Sequence, residues 1–452
     1  MSNEKTVTNN AVYDAKTLGV PKMLILGMQH VFAMFGATVL VPALTGLSVS
    51  TTLLFAGLGT LLFHFLAKGK VPAFLGSSFA FLAGYWAIAP NGEAELLPYA
   101  CLGVACASLL YVILSMLIKA FGVNKVMKFF PPIVTGPIII AIGLNLSTSA
   151  ISNCESNWAI AVLAIVIVVV CNIWGKGMIK IIPIILGVIG SYVVAAIFGQ
   201  VDFTPVAEAA WIGLPISFDR TVFAVFANPD TSLIITAIIT IMPIAFATIV
   251  EHIGDVSAIS STVGKNFIQD PGLHRTLLGD GLATLVASLF GAPANTTYGE
   301  NTGVLSLTKV YDPLVIRIAA GFAVLFSFCP KIAALISCMP TATLGGVSLV
   351  LYGMISAVGV RNVVENKVDF SQSRNVIVAA LILVLSIGIN YSAAGAISFS
   401  IGAVTIRLSG LAVGSLVGII LNAVLPGKDY DFDEENPTST GVDFEINQSK
   451  VE

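Results

Sequence analysis

The chain has 452 residues, of which 56% are hydrophobic and only 10% charged, and its mean hydropathy is +0.93. Soluble domains carry roughly 25% charged residues, so the composition excludes an ordinary soluble protein and describes one that crosses a membrane many times. A net charge of −3 gives no support to nucleic-acid binding through bulk basicity.

A lipid-spanning helix needs about 20 mostly apolar residues. In chain order such blocks cover 22–41, 51–67, 73–89, 97–118, 132–149, 157–174, 181–199, 233–254, 276–290, 298–310, 314–329, 335–358, 375–391 and 395–425, fourteen in all, the last long enough to contain a break. The fold class expected is an all-α polytopic membrane protein. The first 20 residues are polar and lack an apolar core ending in a cleavage site, so no cleavable signal is expected. The six cysteines form no CxxC pair and read as small core residues rather than metal or disulfide partners. The acidic tail KDYDFDEENP reads as a solvated end.

With the N-terminus inside, the inner segments 1–22, 68–72, 119–131, 175–180, 265–275, 309–317, 361–374 and the tail hold 19 of the 22 Lys and Arg. That asymmetry predicts both termini on the cytoplasmic side and an even number of spans. The longest outer loop, 200–232, divides the spans seven and seven. Halves with an odd number of spans, if related, must be inverted relative to each other. Gln29-His30 corresponds to Glu251-His252; Pro72-Ala73 follows Gln29 by 43 residues, and Pro293-Ala294 follows Glu251 by 42. Pro132 with Gly136, and Pro340 with Gly345, open the fifth and twelfth spans.

Two stretches then pair: VPAFLGSSFAF at 71–81 and PANTTYGENTGVLSLTKV at 293–310. Pro72 precedes Phe79, and Pro293 precedes Glu300, by seven residues, and both stretches pass through small hydroxyl residues before an apolar run. Each reads as a short extended piece followed by a half-helix. Extended backbone cannot face lipid with its polar groups unpaired, so the two pieces are expected to pair antiparallel, their half-helix N-termini directed at a common cavity. The competing reading is two ordinary glycine-containing helices.

Acidic residues at membrane depth cost roughly 2.5–3.5 kcal/mol even on the lenient insertion scale. Glu251 and Asp255 stand four apart, on one face of the eighth span, and Glu300 opens the second half-helix. Three carboxylates in one cavity repel if all are ionised, so at least one is expected to carry a proton, a means of coupling transport to a proton gradient. The alternatives are a structural pair for Glu251 and Glu300 and helix-end solvation for Asp255. His30, His252 and Asp280 read first as helix-packing groups, and His64 and His274 as residues near the inner surface.

QHVFAMFGATVLVP (29–42), VPAFLGSSFAF, EHIGD (251–255), DPGLHR (270–275), NTTYGENTGV (295–304) and GGVSLVLYG (345–353) resemble the nucleobase/ascorbate transporter (nucleobase:cation symporter-2) family and, within it, the bacterial uracil permease branch. The family signature, an acidic or amide residue followed by Asn-x-Gly-x4-Thr-Lys/Arg, stands as Glu300-Asn301-Thr302-Gly303 and Thr308-Lys309. The resemblance covers roughly residues 20–425. It implies fourteen segments in two inverted repeats of seven, with short antiparallel strands in segments 3 and 10. The divisions are an N-terminal segment 1–21, a core domain of 22–131 and 233–330, a gate domain of 132–232 and 331–425, and a tail 426–452.

For the site, the resemblance implies Glu251, Glu300 and the backbone amides of Phe79 and Gly299 as substrate-binding groups, with Ala37 and Tyr298 as walls. His30, Asn301 and Ser78 are supporting residues. Asp255 stands where some uracil permeases carry a histidine in the proton-coupling network. The implied function is proton-coupled uracil import across the cell membrane by alternating access, with no cofactor beyond the proton gradient and no enzymatic activity. A homodimer through the gate domain fits the family. The competing functions are purine (xanthine or urate) transport by the same machinery and an anion transporter of related architecture, which would present a cationic or neutral site. An intramembrane aspartyl protease fits poorly, because its GxGD pattern would need glycine where the chain has His252 and Leu277.

Overall fold

The structure, a computed structural model, describes residues 11–427 apart from 228, 402 and 403; the expectations for residues 1–10 and for the acidic tail from 428 lie outside the described residues. The first half runs α1 (Val20–Thr45), α2 (Val49–Leu66), β1 (Leu75–Ser77), α3 (Leu82–Ile88), α4 (Leu97–Phe121), α5 (Pro132–Glu155), α6 (Trp158–Trp174) and α7 (Pro183–Ile197). The second half runs α8 (Thr231–Ile241), α9 (Ala245–Val263), α10 (Leu273–Leu289), β2 (Asn295–Thr297), α11 (Gly299–Thr308), α12 (Pro313–Ser327), α13 (Pro330–Ser337), α14 (Thr341–Glu365) and α15 (Ser373–Asn390). A hairpin, β3 (Ile397–Ile401) and β4 (Val404–Leu408), precedes α16 (Gly410–Val424).

Local chemistry sets many of these boundaries. Ser48, Asp230, Asp312 and Ser409 each accept a hydrogen bond from a first-turn N–H of α2, α8, α12 and α16, satisfying donors that a helix start leaves open. Pro132, Pro183, Pro313 and Pro330 sit in first turns, where their missing N–H costs nothing. Pro330 also marks the bend of 84° between α12 and α13.

Among the described residues, seven helices are long and apolar enough to cross a membrane, or eight if the bent pair α12–α13 is one span. This is fewer than the fourteen apolar blocks of the sequence. Hydropathy does not register where a block is broken. Residues 73–89 divide into strand and short helix, the block at 298–310 holds only the ten-residue α11, α6, α7 and α16 have only 15 to 17 residues, and Thr231–Val263 is one span through a 3-10 turn at Met242–Ile244. The block at 395–425 also differs from an apolar helix with a break, since its first part is the hairpin β3–β4. Its ISFS and VTIRL stretches alternate with period two, the pattern of a strand.

Two packing groups meet across α9. In one, α10 lies on α4 and α2, and α12 lies on α2 and α1; in the other, α14 lies along α5 and reaches α6, and α15 lies on α16 and α5. The crossing of α5 and α14 is close, because a Cβ on Gly143 would stand 2.2 Å from the Tyr352 carbonyl oxygen. Helix α9 contacts α10 and α11 on one side and α5 and α16 on the other.

Strands β1 and β2 lie inside the first group and pair antiparallel, with Leu75 opposite Thr297, Gly76 opposite Thr296 and Ser77 opposite Asn295. The ladder extends through Ser78 N–H to the Ala294 carbonyl at 2.8 Å and Tyr298 N–H to the Phe74 carbonyl at 3.0 Å. Outer edges are finished by two threonines. Thr60 Oγ1 accepts from Leu75 N–H at 2.9 Å and donates to the Leu75 carbonyl; Thr284 Oγ1 accepts from Asn295 N–H at 3.2 Å and donates to the Asn295 carbonyl. One hydroxyl on each side thus replaces the neighbouring strand that a two-stranded sheet lacks.

Candidate functional site

The strand pair ends where two short helices begin. Helix α11 starts at Gly299 with Tyr298 as an extended N-cap that makes no side-chain cap bond. On the other side the chain turns through Phe79, whose carbonyl accepts from Leu82 N–H at 3.1 Å, into α3. Neither the Phe79 nor the Gly299 N–H takes part in a backbone hydrogen bond among the described residues. The Gly299 amide, at the start of α11, and the free Phe79 amide, in the turn that leads into α3, both favour a carbonyl or an anion.

Both residues face a cavity of about 580 Å³ whose polar end is lined by Phe79, Glu251, Asp255, Tyr298, Gly299 and Glu300. One wall is α9 and α11, the other is α5 and α14, so the cavity lies between the two packing groups. It runs past Thr135 and Ile355 to Arg361 and Glu365, an exposed ion pair at 2.9 Å. That end carries the basic segments 119–131 and 361–374.

Glu251 and Asp255, four residues apart, face the same space, as the helical repeat requires. Glu251 Oε2 is buried with no hydrogen-bond partner among the described residues. A buried acceptor without a donor costs about 1–3 kcal/mol, and an N–H of a bound molecule would relieve it. Asp255 is tied differently: Thr297 Oγ1 at the end of β2 donates to its Oδ2 at 2.8 Å. Tyr298 donates its hydroxyl to the Ser77 carbonyl at 3.0 Å and receives Thr38 Oγ1 at 3.3 Å, so its ring is held across the strand pair. Gly76 makes room for that ring; a Cβ there would stand 2.4 Å from Tyr298 carbons. Phe79 meets Tyr352 of α14 edge to face, ring centres 5.6 Å apart.

Four of the sequence-nominated residues stand off the cavity wall. Ala37 is fully buried in α1, and Ser78 is buried with a hydroxyl that has no partner among the described residues. Asn301, one residue past Glu300, donates through Nδ2 both to the His30 carbonyl at 3.1 Å and to His30 Nδ1 at 3.0 Å. The carbonyl contact sets the orientation of the amide, since its oxygen in that place would face another acceptor. His30 is therefore a brace between α1 and α11. Behind the site, His252 Nδ1 lies 3.0 Å from Asp280 Oδ2, both side chains fully buried, joining α9 to α10. Tyr111 of α4 hydrogen-bonds Thr248 one turn earlier on α9.

Residues that the sequence did not nominate include Thr297, Thr38, Thr60, Thr284 and Tyr352. Only Thr297 carried a local signal, as a hydroxyl residue in a polar stretch at membrane depth. The others act on partners at least 11 residues away, and up to 273 for Phe79 with Tyr352.

Comparisons with known proteins agree with this architecture. Residues 21–395 match the model of a family described as the permease family. The uracil permease of Bacillus caldolyticus is 39% identical over 447 residues, covering 97% of this chain and 98% of that protein. The uracil permease of Bacillus subtilis (strain 168) is 40% identical, covering 88% and 91%, and that of Escherichia coli (strain K12) is 38% identical, covering 88% and 90%. Among solved structures, the transmembrane domain of a cyanobacterium bicarbonate transporter, BicA, matches at TM-score 0.58 with 14% identity, covering 91% of this chain and 98% of that one. SLC26A9 matches at TM-score 0.63 with 12% identity, covering 91% and 66%. At such identities the last two speak to the fold alone, a membrane-transporter fold. The family match over most of the chain, together with relatives near 40% identity, establishes that this chain is a member of the permease family.

Proposed function

We propose that this permease imports uracil together with protons, by alternating access of one site to the two sides of the membrane. The single observation that carries the reading is the donor and acceptor pattern at the polar end of the cavity: carboxylates Glu251 and Glu300 beside the unbonded amides of Phe79 and Gly299. The edge of uracil alternates ring N–H donors with carbonyl acceptors, so carboxylates receive its N–H groups and amides donate to its C=O groups. A ligand missing one of these groups leaves a buried partner unpaired. Relatives named uracil permease over most of the chain support the pyrimidine.

In this reading the two packing groups are the core and gate domains, and the chain is fourteen segments in two inverted repeats. Equivalent roles of Thr60 and Thr284 at opposite edges of the strand pair support that symmetry. The cavity is open towards the basic, cytoplasmic side, with both termini on that side. Closure would bring α5 and α14 against the polar end and open the opposite side, carrying the site with the core domain. Asp255, held by Thr297 beside Glu251, takes and gives up the coupling proton. Uracil and H+ are the only small partners required, and no cofactor or enzymatic step is involved.

Uptake of labelled uracil into proteoliposomes tests the proposal. An imposed gradient, acidic outside, should accelerate accumulation, and thymine should compete better than xanthine. Uptake indifferent to the gradient would remove the proton, and competition by xanthine alone would move the substrate class to purines.

A further inference from the structure

Away from the cavity, four helix ends meet at one corner of the molecule on its basic side. Lys68 follows α2, Lys119 lies in the last turn of α4, Arg275 lies in the first turn of α10 and Arg317 lies in α12. Lys68, Lys119 and Arg275 all lie within electrostatic range of His274. Arg317 reaches the same loop, its Nη2 3.8 Å from where a Cβ on Gly69 would be. Arg275 is anchored by Nη1 to the Leu66 carbonyl at 3.3 Å, and Ser115 ties α4 to the His274 carbonyl.

The acids of these loops are already engaged. Asp270 pairs with Lys70, and Asp312 accepts from Ala15 and Leu314 N–H. None of Lys68, Lys119, Arg275 and Arg317 has an ion-pair partner among the described residues. Four cations converging without an anion leave a site of strong positive potential. On the same ends of α2 and α4, within three residues of Lys68 and Lys119 in sequence, Phe65, Met116 and Phe121 are 80%, 56% and 59% exposed, and in a membrane-spanning chain such exposed apolar groups meet acyl chains.

We propose that this corner binds the phosphate headgroup of an anionic phospholipid, with its acyl chains along Phe65, Met116 and Phe121. The juxtaposition favours a lipid over a free phosphate, because the cations border an apolar face rather than an aqueous pocket. The lipid would be held by the ends of α2, α4, α10 and α12, all in the packing group that contains the strand pair.

Native mass spectrometry of the delipidated full chain, titrated with phosphatidylglycerol or phosphatidylcholine, reads this out. Phosphatidylglycerol should be retained selectively, and the double variant Lys68→Gln/Lys119→Gln should weaken its retention roughly 30-fold, at about one surface-charge contribution per lysine. The control Lys176→Gln/Lys180→Gln, on another basic loop, should bind as the unaltered chain does. Equal retention by the Lys68/Lys119 variant, an equal loss in the control, or displacement by inorganic phosphate at millimolar concentration each overturns the proposal. Should the double variant fail to fold, raised ionic strength applied to the unaltered chain decides: salt must release phosphatidylglycerol and spare phosphatidylcholine.

Discussion

Glu251, Glu300 and Asp255 share one cavity but are held differently, and the differences predict separable effects. Glu251 has a buried oxygen with no donor among the described residues, and Glu300 stands in the first turn of α11 beside an open amide. Replacement of either by glutamine exchanges an acceptor for a donor where, in the proposed binding mode, uracil presents N–H. Each variant should weaken uracil binding by about 1–3 kcal/mol, roughly 5- to 150-fold, measured by equilibrium binding of labelled uracil to purified protein. Asp255 is already satisfied by Thr297. Asp255→Asn should leave binding within a few-fold of the unaltered chain while flattening the pH dependence of uptake. Identical pH profiles for variant and parent would count against its role in coupling. All three carboxylates were legible from the cost of an acid at membrane depth, which is a property of the residue and its block. The Thr297 contact was not, because it depends on where β2 comes to lie.

At the scale of elements, the strand pair is held together as much by helices as by itself. Thr60 and Thr284 each satisfy one N–H and one C=O on its outer edges. Thr60→Val and Thr284→Val should each destabilise the protein by about 1–3 kcal/mol, since valine keeps the shape and strands a buried N–H. Thermal unfolding in detergent should give losses of similar size for the two, and a much larger loss for one would show that the edges are not equivalent. Extended backbone at 71–78 and 293–298 could be anticipated from proline, glycine and hydroxyl residues in apolar surroundings. The antiparallel strands at Ile397–Ile401 and Val404–Leu408 show the reverse. Their period-two alternation lay inside a block apolar enough to read as a span, and hydropathy averages over the alternation that distinguishes strand from helix.

For the whole molecule, the orientation predicted by 19 of 22 basic residues is open to direct measurement. An impermeant thiol reagent should label Glu208→Cys in intact cells and Lys176→Cys only after permeabilisation, above the background of the six native cysteines; the opposite pattern would invert the access scheme. Both positions are exposed.

What the sequence alone determined is the set of properties that are local along the chain: membrane residence from hydropathy, the candidate carboxylates from the cost of burying charge, and the two broken blocks from proline and glycine. Tertiary structure decided which of these groups meet. It brought Glu251, Asp255, Glu300, Phe79 and Gly299 to one cavity and left Ala37, Ser78, His30 and Asn301 behind its wall. It also joined His252 to Asp280 and turned Phe79 against Tyr352. In a chain this uniformly apolar, hydrophobicity says little about which helix packs on which. Shape and hydrogen bonding between distant segments make that choice, and they exist only once the helices are assembled.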